Sequence, residues 1–176
     1  MLAGGDRRSI GRAGEALGVL EEQPSLLHCL VEAMRSPDQL VCMRAADAVQ
    51  KFAARHPGFL QPEKENLLLL ADKAVQQEVR WHLAQILPGL SLNQHEREEV
   101  YRILCGYLHD RSAIVRTFAM QGLADLADQE AGYREKVLPI LIEQTQNGSP
   151  AMKSRGRKLI SALSASSTAH IGKHEQ

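Results

Sequence analysis

The sequence predicts an all-α fold, a stack of about four helix pairs preceded by one N-terminal helix, and three observations predict it. First, a four-residue pattern recurs as Val41-Cys42-Met43-Arg44, Val79-Arg80-Trp81-His82, Val115-Arg116-Thr117-Phe118 and Met152-Lys153-Ser154-Arg155, at steps of 38, 36 and 37 residues. Second, small or apolar residues follow in register: Ala45, Leu83, Ala119 and Gly156 four places on, Val49, Leu87, Leu123 and Ile160 eight places on, and Phe52, Leu90, Leu126 and Leu163 eleven places on. Offsets of 0, 4, 8 and 11 mark one face of a helix, not alternate faces of a strand. Third, Leu30, Leu68, Leu104 and Leu141 stand eleven residues before each pattern, with Val31, Leu69, Cys105 and Ile142 one place later. Each unit therefore holds two helices. A period of roughly 20–50 residues marks stacked supersecondary units.

Along the chain, Ala13, Leu17 and Leu20 repeat the same spacing relative to Ser9 and predict a lone opening helix. Pro24 and Pro62 suit the first position of the first helices that follow, where a missing N–H costs nothing. Asn93 with Glu96 forms a capping box for the third of these helices. Asp38, Gln76, Ser112 and Ser149 stand three residues before the four patterns, and three of them are good N-caps. Pro150 opens the last helix, while His56-Pro57-Gly58 and Pro88-Gly89 close helices. The predicted layout is one solenoid domain over residues 1–164. A polar tail over 165–176 has little to bury and is expected to be disordered.

Lys+Arg and Asp+Glu both number 21, so the whole chain is not biased toward nucleic acid or membranes. Residues 147–176 nevertheless carry five positive charges against one negative, while residues 21–146 carry 13 against 18. A solvated end helix and a partner footprint both fit that asymmetry. Three cysteines without Cys-x-x-Cys spacing fit a reducing cytoplasm, and Cys105 in its helical column reads as a small buried hydrophobe. No stretch approaches the ~18 apolar residues of a membrane span.

The string Asp110-Arg111-Ser112-Ala113-Ile114-Val115-Arg116-Thr117-Phe118-Ala119 resembles the second helix of a HEAT repeat, with Asp in the turn, then Val-Arg, then Ala at helical spacing. Pro139, in Val137-Leu138-Pro139-Ile140-Leu141, matches the proline of many HEAT first helices. The resemblance covers roughly residues 9–164, and as a whole the chain is similar to small bacterial HEAT-repeat proteins of the armadillo-like class. Cys42 departs from the pattern Arg, and Ala74 and Asn147 depart from the turn Asp. The resemblance implies a right-handed α-α superhelix, second helices on the concave side, and protein binding. It also implies that Arg80, Arg116 and Lys153 form a ladder with turn aspartates, for which Asp110 is the clear partner. The alternative for that column is a basic stripe facing an acidic ligand.

Trp81, with Asp47, Gln85, Gln121 and Lys158 one turn on in the same columns, lies opposite the apolar stripe and is expected on the exposed concave face. An exposed Trp among polar residues is a recurrent binding anchor, although packing on a neighbouring helix is the competing reading. Arg44, His82, Phe118 and Arg155 form a mixed column expected between adjacent units. Lys153, Arg155, Arg157 and Lys158 form a basic cluster on the last helix, read as a solvated cap or a contact for an acidic partner.

His95-Glu96-Arg97-Glu98-Glu99 places Glu99 where a zinc-protease motif needs its second His, and His170 and His174 lie in the predicted tail without a further ligand. No nucleophile elbow or P-loop occurs. The expectation is a non-enzymatic protein-interaction scaffold without cofactor or metal. Its face would comprise Arg44, Asp47, Arg80, Trp81, Gln85, Arg116, Gln121, Lys153, Arg155 and Lys158, its partner a protein or peptide, and its state monomeric. Nucleic acid is the competing partner, since HEAT-like alkylpurine DNA glycosylases share the resemblance at the level of the repeat. An accessory or lyase role toward a tetrapyrrole is a third reading.

Overall fold

The computed structural model describes Leu2 and residues 13–171, with side chains for all of these except Ala13 and residues 166–171. Ser9 and His174 lie outside them. The described residues form α-helices and short 3-10 turns and no strand. Two compact units divide the chain, Met1–Gln94 and His95–Gln176.

In the first unit the helices are α1 (Ala13–Glu22), α2 (Leu27–Ala33), α3 (Gln39–Arg55), α4 (Lys64–Lys73) and α5 (Gln77–Ile86). The 3-10 turns Pro24–Leu26 and Pro57–Glu63 lead into α2 and α4, so Pro24 opens a turn and Pro62 lies inside one. α3 packs against α1, α2 and α5. Its start follows from local chemistry: Asp38 accepts hydrogen bonds from the Leu40 and Val41 amides, two donors that the helix itself leaves unpaired. Gln76, at the start of α5, makes no side-chain cap bond. Leu20, Val31, Ala45, Val49, Phe52, Leu67 and Leu83 are buried between these helices.

In the second unit the helices are α6 (Gln94–Tyr107), α7 (Ala113–Gln129), α8 (Ala131–Asn147) and α9 (Pro150–Ile171). α7, α8 and α9 pack mutually. Ser112 accepts from the Val115 amide and Ser149 from the Met152 amide, and Pro150 is the first residue of α9. α9 runs through Ile171, so helix continues beyond residue 164, where the polar tail was expected to begin. Pro139 lies within α8. Val115, Ala119, Leu123, Leu126, Leu141, Met152 and Leu163 are buried. Gly156 occupies the position held elsewhere by Ala45, Leu83 and Ala119. A Cβ there would collide with Thr145 Oγ1 and lie 2.9 Å from Met120 Cε, so the missing side chain lets α9 approach α7 and α8.

The column beginning at Val31 is not uniform. Val31 is fully buried, whereas Leu69 and Ile142 are 54% and 41% exposed and Cys105 is only half-buried. Sequence register puts these residues in one column; what packs over each differs from helix to helix.

In both units, hydrogen bonds join residues about one repeat apart. Arg55 Nη1 donates to Glu21 Oε1 at 2.9 Å, a separation of 34 residues, and His28 Nδ1 lies 3.1 Å from Glu63 Oε1, a separation of 35. Arg35 Nη2 donates to the Asn66 carbonyl at 3.1 Å across 31 residues, and Cys42 Sγ contacts Gln76 Oε1 across 34. In the second unit Tyr133 Oη donates to Glu98 Oε2 at 2.8 Å, 35 residues away, and Arg155 Nη1 to Gln121 Oε1 at 2.6 Å, 34 away.

Candidate recognition surface

The second-helix residues singled out by sequence divide into tied and open ones. Arg44 is 2% exposed, and its Nη1 donates to the Leu2 carbonyl at 2.7 Å. It was expected on an open binding face and is instead inside the protein, where its position on α3 meets Leu2. In the column of Arg116 and Lys153, Arg80 Nη2 donates to the carbonyl of Val75, in the turn before its own helix, at 2.5 Å. Arg116 is half-buried.

Around Trp81 the chemistry is denser. Trp81 is half-buried, not fully open, with its ring 5.6 Å from that of His82. Gln85 Nε2 donates to the Trp81 carbonyl at 3.0 Å, which occupies an amide that sequence left facing outward. On α3, Lys51 Nζ lies 2.7 Å from Asp47 Oδ2. His82 is 8% exposed, its Nδ1 has no hydrogen-bond partner among the described residues, and burial pushes its pKa down to about 4. Asp47 and Glu78 oppose that shift and Lys51 adds to it. His82 is therefore a neutral side chain packed between helices, as its column implies, and not a protonated contact.

In the second unit Gln121 bridges two groups. Its Oε1 accepts from Arg155 and its Nε2 donates to Asp125 Oδ1 at 2.8 Å. Asp125, half-buried, has its pKa raised by desolvation, against the hydrogen bond from Gln121 and the charge of Arg155. Lys153, Arg157 and Lys158 are exposed. Asp47, Trp81 and Gln85 thus belong to one neighbourhood, Gln121 and Arg155 to another.

Two features were missed from sequence. On α6 and α8, Tyr101 and Tyr133 rings lie 5.5 Å apart with Lys136 Nζ 5.6 and 5.2 Å from their centroids, and Lys136 sits 3.4 Å from Glu98. Burial and neighbouring groups push both phenols up to about 12, so both stay protonated, and the Tyr133 hydrogen bond holds the Glu98 carboxyl below its usual range. Burial also raises the Cys42 and Cys105 thiols. These groups do not supply an activated nucleophile. Spacing of 35 residues was the available signal for the Tyr133–Glu98 pair. The second feature is a groove of about 470 Å³ beside Val75, in a turn off every helical stripe, where sequence carried no signal.

Among the described residues no group of three or more His, Cys, Asp or Glu side chains is placed to hold a metal ion. No helix of the described residues is long and apolar enough to cross a membrane. In comparison with known proteins, no family model and no curated protein matches this chain.

Proposed function

We propose that the protein is a HEAT-like α-solenoid that acts as a non-enzymatic recognition module for another protein. The observation that carries this reading is the recurrence of hydrogen bonds between residues 31 to 35 apart. Bonds a few residues short of the 36–38-residue period are what stacked helix pairs produce, since the facing sides of corresponding helices in successive pairs become neighbours. A stacked array orders its surface before a partner arrives, so less binding energy is lost to ordering. Trp81, with Asp47 and Gln85, is the anchor candidate in the first unit: a large ring, part apolar and part accessible, beside a polar rim. In the second unit the candidate contacts are Gln121, Lys153, Arg155 and Lys158.

The exposed Lys153, Arg157 and Lys158 support a second reading, binding to nucleic acid. Anisotropy titration of labelled DNA and RNA at about 50 and 200 mM salt separates the two, because phosphate contacts weaken steeply over that range. Saturable, salt-sensitive binding supports the nucleic-acid reading and overturns the protein-binding one if charge reversal at Lys153 and Lys158 abolishes it. Absence of binding at the lower salt, with a partner retained on the immobilised wild-type chain and lost from Trp81→Ala, supports protein recognition.

A further inference from the structure

The most exposed large apolar residue among the described ones is Val75, 82% accessible, in the turn between α4 and α5. Leu69, 54% accessible, is close by on α4. Both line the groove of about 470 Å³, whose floor is made by the buried side chains of Met34, Leu70 and Val79. Arg35 and Lys73 are the charged residues of its lining, and both are exposed. Arg35 faces Glu32 at 3.6 Å, an accessible pair worth little in water, and no carboxylate lines the groove itself.

The turn that presents Val75 is held from two sides. Arg80 donates to the Val75 carbonyl, and the neighbouring Gln76 side chain contacts Cys42 on α3. An apolar side chain left in water on a fixed backbone loses little further freedom when a partner covers it. Two cations in a lining without carboxylates, Arg35 held only by an accessible pair with Glu32, stand beside an apolar floor and complement a ligand that is apolar and acidic at once.

We propose that this groove docks a segment of a partner protein that carries branched apolar side chains flanked by carboxylates. The apolar side chains cover Leu69 and Val75 and reach the floor, while the carboxylates face Arg35 and Lys73. The proposal rests on the recognition-module reading and places its specificity in the turns between helices, apart from the Trp81 neighbourhood.

The test uses the full chain and a fluorescein-labelled peptide of two leucines flanked on each side by aspartates. One control peptide carries lysine for aspartate and another serine for leucine. Anisotropy is read up to about 1 mM protein, where even a weak docking contact registers. The acidic leucine peptide is expected to bind saturably and both controls to bind about tenfold more weakly or worse, as loss of an anchor or its charge partner entails. Val75→Asp, at an exposed site that leaves folding intact, is expected to weaken binding about tenfold. Arg35→Glu with Lys73→Glu is expected to transfer preference to the lysine peptide. In ¹H–¹⁵N spectra the shifted amides should fall in residues 34–37 and 69–79.

No saturable binding of the acidic peptide, equal binding of the lysine peptide, or indifference to Val75→Asp overturns the proposal. A concentration-dependent dimer in sedimentation that Val75→Asp dissolves also overturns it, in favour of a second copy as the occupant. If the peptide fails while a partner is retained by the wild type and lost from Trp81→Ala, the groove falls and the recognition module stands. Loss of both overturns both.

Discussion

Arg155 on α9 and Gln121 on α7 meet in a 2.6 Å hydrogen bond across 34 residues of sequence, and Gln121 passes the contact on to Asp125. The three side chains tie the second helices of successive pairs through polar groups that burial would otherwise leave costly.

Arg155→Met should therefore lower stability by about 1–2 kcal/mol, the usual range for losing a partly buried bond to a charged donor. The loss should depend on pH with a definite sign. Burial raises the Asp125 pKa above its unfolded value, so the folded state favours the protonated acid and stability falls as pH rises through that window. Arg155 offsets the cost of ionised Asp125, so its removal should hurt more near pH 7 than near about pH 4. Urea titrations at several pH values measure this, and a loss independent of pH would separate Arg155 from Asp125.

His82 gives a second pH dependence. Its pKa falls from 6.5 to about 4 on folding. Between those values the unfolded chain binds a proton that the folded chain refuses. Stability is complete above the unfolded pKa and declines as pH falls through the window, by an amount of order 3 kcal/mol if the shift is fully expressed. His82→Gln should flatten this decline, read as the urea midpoint against pH. Asp47, Lys51 and Glu78 are the charged groups that act on His82, so Asp47→Asn should lower the His82 pKa further.

Two glycines should respond oppositely. Gly156→Ala forces a Cβ against Thr145 and Met120, and overpacking of this kind costs about 1–3 kcal/mol. Gly106, in the last turn of α6 with open space where a Cβ would stand, should gain up to roughly 0.5 kcal/mol as Ala from helix propensity alone. Thermal unfolding of the two variants gives both signs directly.

Asp38→Ala should cost about 1 kcal/mol by removing the cap on the Leu40 and Val41 amides. Gln76→Ala, at a start without a side-chain cap bond, should not show a capping loss of that kind, and helix content by circular dichroism during urea unfolding compares the two.

Helix-forming information in this chain is local. Register, Asp38, Ser112, Ser149 and Pro150 mark where α3, α7 and α9 begin because caps and periodicity act within one or two turns, and an all-helical chain follows from them. The offsets 0, 4, 8 and 11 likewise mark the buried stripe: Ala45, Leu83, Ala119 and Leu126 all lie inside. Local rules do not say which segment arrives from elsewhere. Arg44 is enclosed because Leu2 lies against it, Leu69 is open where Val31 in the same column is covered, and Val75 gains a groove only when the ends of α2 and α4 come together. Sequence by itself determined where α3, α7 and α9 start and which stripe they bury, since those depend on neighbours three or four residues away. Tertiary structure alone decided which polar and apolar side chains remain in water, since that depends on atoms a full repeat distant.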